Sequence, residues 1–150
     1  IEAQKLFDVC AGFVYSQVLF AFIETPLLRQ LSRGPAFAED LASEADLPLD
    51  RMERLLQATC AIGLTDTLHN NMYCLGLRGA ALIKNPGLIE MIKHHALLYE
   101  DLADPVSLMR DPSLPTQTAK LEGSVQGVVV QAARYLSWSL ILNKTVTAGS

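Results

Sequence analysis

The sequence lacks the signatures of chemistry. No Gly-x-Gly-x-x-Gly or Walker-type glycine loop occurs, so no dinucleotide or nucleotide phosphate cradle is signalled. No Gly-x-Ser-x-Gly elbow presents a serine nucleophile. Cysteine is scarce. Cys10, Cys60 and Cys74 are odd in number, widely spaced and without a Cys-x-x-Cys pair. That argues against a disulfide framework and reads as reduced, mostly buried thiols of a cytosolic protein. Positive charge is short: 12 Lys and Arg face 16 Asp and Glu, which leaves no global footprint for nucleic acid or an anionic membrane. No signal peptide is evident. Charge of either sign is missing from Val9 to Ile23, and acids are missing from Gly123 to Ser150.

What is present is apolar and helical in period. Half of the residues are hydrophobic, enough to bury a core in one domain, with or without an extension. Ala3–Ile23 reads as a long helix, apolar nearly all round and therefore buried on several sides. Its 15 uncharged residues are too few for a comfortable membrane span, so part of it is expected to pack on a second subunit. Pro26 suits the first turn of a short helix, Leu27–Ser32.

The organising stretch is Pro35–Ile83, which reads as a winged helix-turn-helix. Phe37, Leu41 and Ala45 share a face of a short first helix, and Pro48 breaks it. Asp50 with Glu53 has the spacing of a capping box opening a second helix. Met52, Leu55, Leu56, Thr59 and Ile62 form that helix's buried stripe, and Gly63 suits a left-handed C-cap. The runs Leu64–Leu68 and Met72–Leu75 flank His69-Asn70-Asn71, a hairpin turn that makes the wing. From Ala36 to Gly63 six acids face only Arg51 and Arg54, the wrong sign for phosphate.

Leu77–Ile83 is a short apolar segment ended by Asn85-Pro86-Gly87, and Leu88–Asp104 is expected as one helix. His94, His95, Tyr99, Glu100 and Asp101 are the only cluster that could carry chemistry. Adjacent histidines point about 100° apart on a helix, and no third ligand at a metal spacing is evident. The alternatives are a core His95 with a surface His94, or a polar pocket lining in which His95 and Tyr99 lie one turn apart. Val106–Arg110 adds a turn, and Asp111–Thr118 is a loop. Beyond it, Val128–Val130 favours a strand, and Gln131–Leu142 could form a helix with Tyr135, Trp138 and Leu142 on one face.

Leu6-Phe7-Asp8, Gly12-Phe13-Val14-Tyr15-Ser16-Gln17-Val18-Leu19 and Arg33-Gly34-Pro35 resemble the start of bacterial S-adenosylmethionine-dependent O-methyltransferases. So do Arg54-Leu55-Leu56, Ile62-Gly63-Leu64 and the long run Met91–Val106, most like the hydroxyneurosporene or demethylspheroidene type that acts on carotenoids. The resemblance covers about residues 5–110. It implies a mainly α fold: a winged helix with a small β-hairpin wing and flanking long helices of a dimerisation domain. Residues 1–110 would be that domain, 111–122 a linker or loop, and 123–150 an unassigned hydrophobic segment. The resemblance further implies an intertwined homodimer, here through Val9–Ile23, and walls of an apolar substrate's pocket, with Phe13, Gln17, His95 and Tyr99 as lining candidates. S-adenosylmethionine would bind in a following Rossmann-like domain, for which this sequence has no segment. No catalytic, cofactor-binding or metal residue is therefore assigned, and the chain is expected to be inactive alone, as a piece of a longer protein or a truncated relative. Peripheral membrane association is compatible with this reading; a membrane span and nucleic acid are not expected. Two rivals remain: a stand-alone interaction protein docking through its hydrophobic tail, and a winged-helix DNA-binding regulator.

Overall fold

The computed structural model describes residues 1–111 and 113–117. The expectations for 123–150 lie outside them. The chain forms two compact units, Ile1–Lys93 and a second that begins at His94.

In the first unit α1 spans Glu2–Glu24. Glu2, Lys5 and Asp8 fall in its first two turns and Glu24 is its last residue, and Thr25 closes its end by donating from Oγ1 to the Ala21 carbonyl at 2.8 Å. The expectation of burial on several sides is overturned within the protomer: only Phe22 is fully buried, with Leu19, Phe20 and Ile23 packed around the same core. The reason is length. The core is assembled from the elements after residue 26, and it reaches only the last two turns of α1. α2 (Leu27–Ser32) follows Pro26, as its fixed φ allows.

α3 (Ala38–Glu44) and α4 (Leu49–Ala61) enclose the tightest part of the core, where Leu41, Met52 and Leu56 are fully buried. Two expectations need correction here. Phe37 is the N-cap of α3, extended and exposed, so the buried face is Ala38, Leu41 and Ala42. Asp50 does not cap α4. The cap is Pro48, whose carbonyl accepts from the N–H groups of Arg51 and Met52, both at 3.0 Å. Pro48 already has the extended backbone an N-cap needs, which puts Asp50 inside the first turn. There its charge favours the helix dipole but closes no capping box.

α4 ends in a Schellman motif. Gly63, at φ +76°, donates to Cys60 O at 3.0 Å, and Leu64 donates to Thr59 O at 2.9 Å. β1 (Thr65–Thr67) then pairs antiparallel with β2 (Tyr73–Leu75) in the register Thr65↔Leu75. Asn71 takes φ +60° in the turn, as its side chain allows. Ala36 adds a bridge to Tyr73, which ties the hairpin to the start of α3. Under the hairpin, the buried Thr59 and Thr65 hydroxyls lie 2.7 Å apart. α5 (Leu77–Ile83) inserts Leu82 into the core. α6 (Pro86–Lys93) inserts Ile92 and begins at Pro86, where a break was expected. Proline at the first helical position lacks only an N–H that would have no helical partner.

The single helix expected over Leu88–Asp104 is two. α6 stops at Lys93, and in the second unit α7 spans His95–Asp101. His94, with ψ −8°, stands between them. α8 (Pro105–Arg110) is capped by Asp104, whose carboxylate accepts from the Ser107 N–H at 3.0 Å and hydroxyl at 2.7 Å. Those bonds hold the Asp104 carboxyl below the usual carboxylate range. Residues 113–117 form no helix or strand, and Gln117 closes back on α7 through Asp101 and Glu100.

Candidate functional site

Before its buried end, α1 carries a run of exposed large hydrophobic residues. Leu6, Phe7, Val9 and Phe13 are 61–78% exposed, and Val14 and Tyr15 are 45% exposed. Exposed apolar residues grouped along one helix are a candidate interaction surface. By length and composition alone α1 could also cross a membrane, which the count of 15 uncharged residues did not foresee. The helix gains that length from its charged first turns.

Beside this surface lies an open groove of about 460 Å³, lined by Tyr15, Ser16 and Leu19 of α1, Ala61, Ile62 and Leu64 at the end of α4, and Arg78 of α5. The Schellman turn makes one wall by directing the chain back from α4 into β1. Arg78 lies across it, its guanidinium donating to the Ile62 carbonyl at 2.7 Å. A second hollow of about 470 Å³ joins α3 to the hairpin turn and includes Glu39, Glu53, Asn70, Asn71 and Tyr73. Burial, and after it Cys60, Glu53 and Glu39, push the Tyr73 phenol above its ordinary value. Two carboxylates without a lysine or arginine in the lining make this hollow unfavourable for phosphate.

Phe13 and Gln17 stand one turn apart on α1, exposed and outside the groove lining. His95 and Tyr99 stand one turn apart on α7, both half-buried, in the second unit. His95 Nδ1 is buried without a hydrogen-bond partner, and burial holds the imidazole below its ordinary pKa. The groove residues Tyr15, Ser16, Leu19 and Arg78 were not singled out from sequence. The one available signal was Gly12 with Ser16, small residues one turn apart in an apolar helix. The three thiols are free, as expected, but not mostly buried: Cys10 is exposed on α1, and Cys60 and Cys74 are half-buried. Among the described residues no group of three or more His, Cys, Asp or Glu is placed to hold a metal ion.

Residues 7–79 match the O-methyltransferase dimerisation domain. The demethylspheroidene O-methyltransferase of Cereibacter sphaeroides is 41% identical over 114 residues, which is 76% of this chain and 30% of that protein. That of Rhodobacter capsulatus is 41% identical over 109 residues, 73% of this chain and 28% of that protein. The chain thus spans under a third of the length of these relatives. Among solved structures, the S-adenosylmethionine-dependent methyltransferase SibL superposes with a TM-score of 0.66 at 24% identity, over 96% of this chain and 46% of its own. Human N-acetylserotonin methyltransferase in complex with SAM gives 0.63 at 21% identity, over 99% of this chain and 49% of its own. At these identities the likeness is one of fold.

Proposed function

We propose, from the premise that residues 7–79 are an O-methyltransferase dimerisation domain, that this chain is the dimerising and substrate-lining part of a cytoplasmic S-adenosylmethionine-dependent O-methyltransferase acting on a hydroxylated carotenoid. The observation that carries the reading is the 41% identity to demethylspheroidene O-methyltransferase across three quarters of the chain. In this reading α3, α4 and the β1–β2 hairpin are a winged helix used as scaffold, since the acidic hollow beside them disfavours DNA. Val9–Ile23 closes a homodimer, which covers the exposed apolar turns of α1.

Methyl transfer to a hydroxyl rests on in-line positioning and on removal of the hydroxyl proton. The described residues supply positioning only. Phe13 and Gln17 on α1 and, in the second unit, His95 and Tyr99 are the residues this reading offers for contact with the substrate. S-adenosylmethionine would be held by residues outside those described here, and its activated methyl group is the chemistry it would bring. The chain alone therefore transfers nothing.

The test is methyl transfer from labelled S-adenosylmethionine to a hydroxylated carotenoid. The full-length protein is expected to label it, and residues 1–150 to dimerise without labelling it. Failure of the full-length protein on every hydroxylated carotenoid, together with salt-sensitive DNA retardation, would overturn the reading in favour of a regulator.

A further inference from the structure

Gly12 is out of place on energetic grounds. It sits mid-helix in α1, where glycine is a poor choice, and it is exposed with nothing within 4 Å of where a Cβ would stand. Among the described residues nothing requires a missing side chain there. Helical periodicity puts Asp8, Gly12 and Ser16 in one row, with Lys5, Val9, Tyr15 and Leu19 beside it. Three of these seven, Tyr15, Ser16 and Leu19, line the groove. The row thus runs from an acid through a gap to a hollow that holds Arg78. Among the described residues neither Asp8 nor Arg78 has a salt-bridge partner.

We propose that two copies of this chain cross antiparallel at Gly12 about a two-fold axis, so that Asp8 of each seats over the groove of the other, against Arg78. The proposal rests on the reading that the chain dimerises through α1 and names the contact that reading leaves open. A two-fold axis perpendicular to α1 makes the contact self-complementary. Centred on Gly12, it sets residue 8 opposite residue 16 and residue 9 opposite residue 15. Val9, 78% exposed, then covers the ring of Tyr15, 45% exposed. The stem of Lys5 covers Leu19. Asp8 reaches the mouth of the groove at Ser16, where Arg78 waits. A parallel crossing would set Asp8 against Asp8 and leave both grooves empty, some 12 Å further along the helix at 1.5 Å per residue. Two missing Cβ atoms at the crossing let the backbones approach.

The experiment measures the dimer dissociation constant of the full-length protein by sedimentation, with circular dichroism to confirm folding. Gly12→Leu should favour helix in α1 yet weaken the dimer about tenfold or more, since the added side chain blocks the crossing. Asp8→Arg, in the exposed second turn, should weaken it comparably, and Asp8→Arg with Arg78→Asp should restore much of the loss. If Gly12→Leu and Asp8→Arg leave the constant unchanged while Val9→Glu dissociates the dimer, the crossing is wrong and dimerisation through α1 stands. If Val9→Glu is also without effect, dimerisation through α1 is itself wrong. Dimer loss in Asp8→Arg without rescue by the exchange would remove the Asp8–Arg78 pair and overturn the register.

Discussion

At the scale of single residues, buried polar groups set the terms. Thr59 donates to the Leu56 carbonyl at 3.0 Å and shares a 2.7 Å bond with Thr65, both side chains being buried. Thr59→Val leaves the Thr65 hydroxyl with only the Cys60 sulfur, at 3.2 Å. It should cost about 1–3 kcal/mol, read as a lower urea midpoint, and Thr59→Val with Thr65→Val should cost less than the two singles added. His95 gives the domain a pH dependence. Its folded pKa lies below the ordinary 6.5 because burial disfavours the imidazolium. Above that value both states are neutral and His95 contributes no pH dependence. As pH falls below it, the unfolded chain takes up a proton that the folded chain resists, so stability is lost. His95→Gln should flatten that part of the curve of urea midpoint against pH between 7 and 5. An unchanged slope would show that His95 does not set it.

At the scale of elements, α4 and its exit organise the first unit. Leu56 is fully buried between α4 and its neighbours, so Leu56→Ala should cost about 2–5 kcal/mol in urea denaturation. Gly63→Ala forces a side chain into φ +76° at the Schellman turn and should cost about 1–2 kcal/mol. Most of this element was legible in advance. The 3.6-residue stripe from Met52 to Ile62, the C-cap glycine and the Asn-bearing turn are local features, read correctly because local sterics decide them. The start of α4 was misread because two local signals competed: the Asp50–Glu53 spacing and Pro48. The proline won, since its φ is fixed covalently. The split of Leu88–Asp104 at His94 was not legible, since the apolar stripe runs through it without a proline or glycine.

At the scale of the whole molecule, α1 meets the core of the first unit only in its last two turns. Glutamate at Val9 would leave one protomer's core untouched, because that side chain is 78% exposed. It should nevertheless abolish the dimer, seen as a halved mass in light scattering at micromolar concentration. The apolar character of Val9–Ile23 was legible, and so was its demand for cover. What covers it was not, because burial depends on where the other elements go. The same limit applies to the lining candidates: helical spacing paired Phe13 with Gln17 and His95 with Tyr99, but spacing within one helix says nothing of what stands opposite.

The sequence by itself determined the mainly helical class, the hairpin and its turn, the stripe of α4 and the dimerisation-domain resemblance, because each is written in short-range pattern or motif. Only the tertiary structure decided that α1 stands mostly clear of its own core, that the groove forms between Ser16 and Arg78, and that the Thr59 and Thr65 hydroxyls meet. Those facts depend on contacts between residues distant along the chain, and no local periodicity encodes which surfaces a fold leaves uncovered.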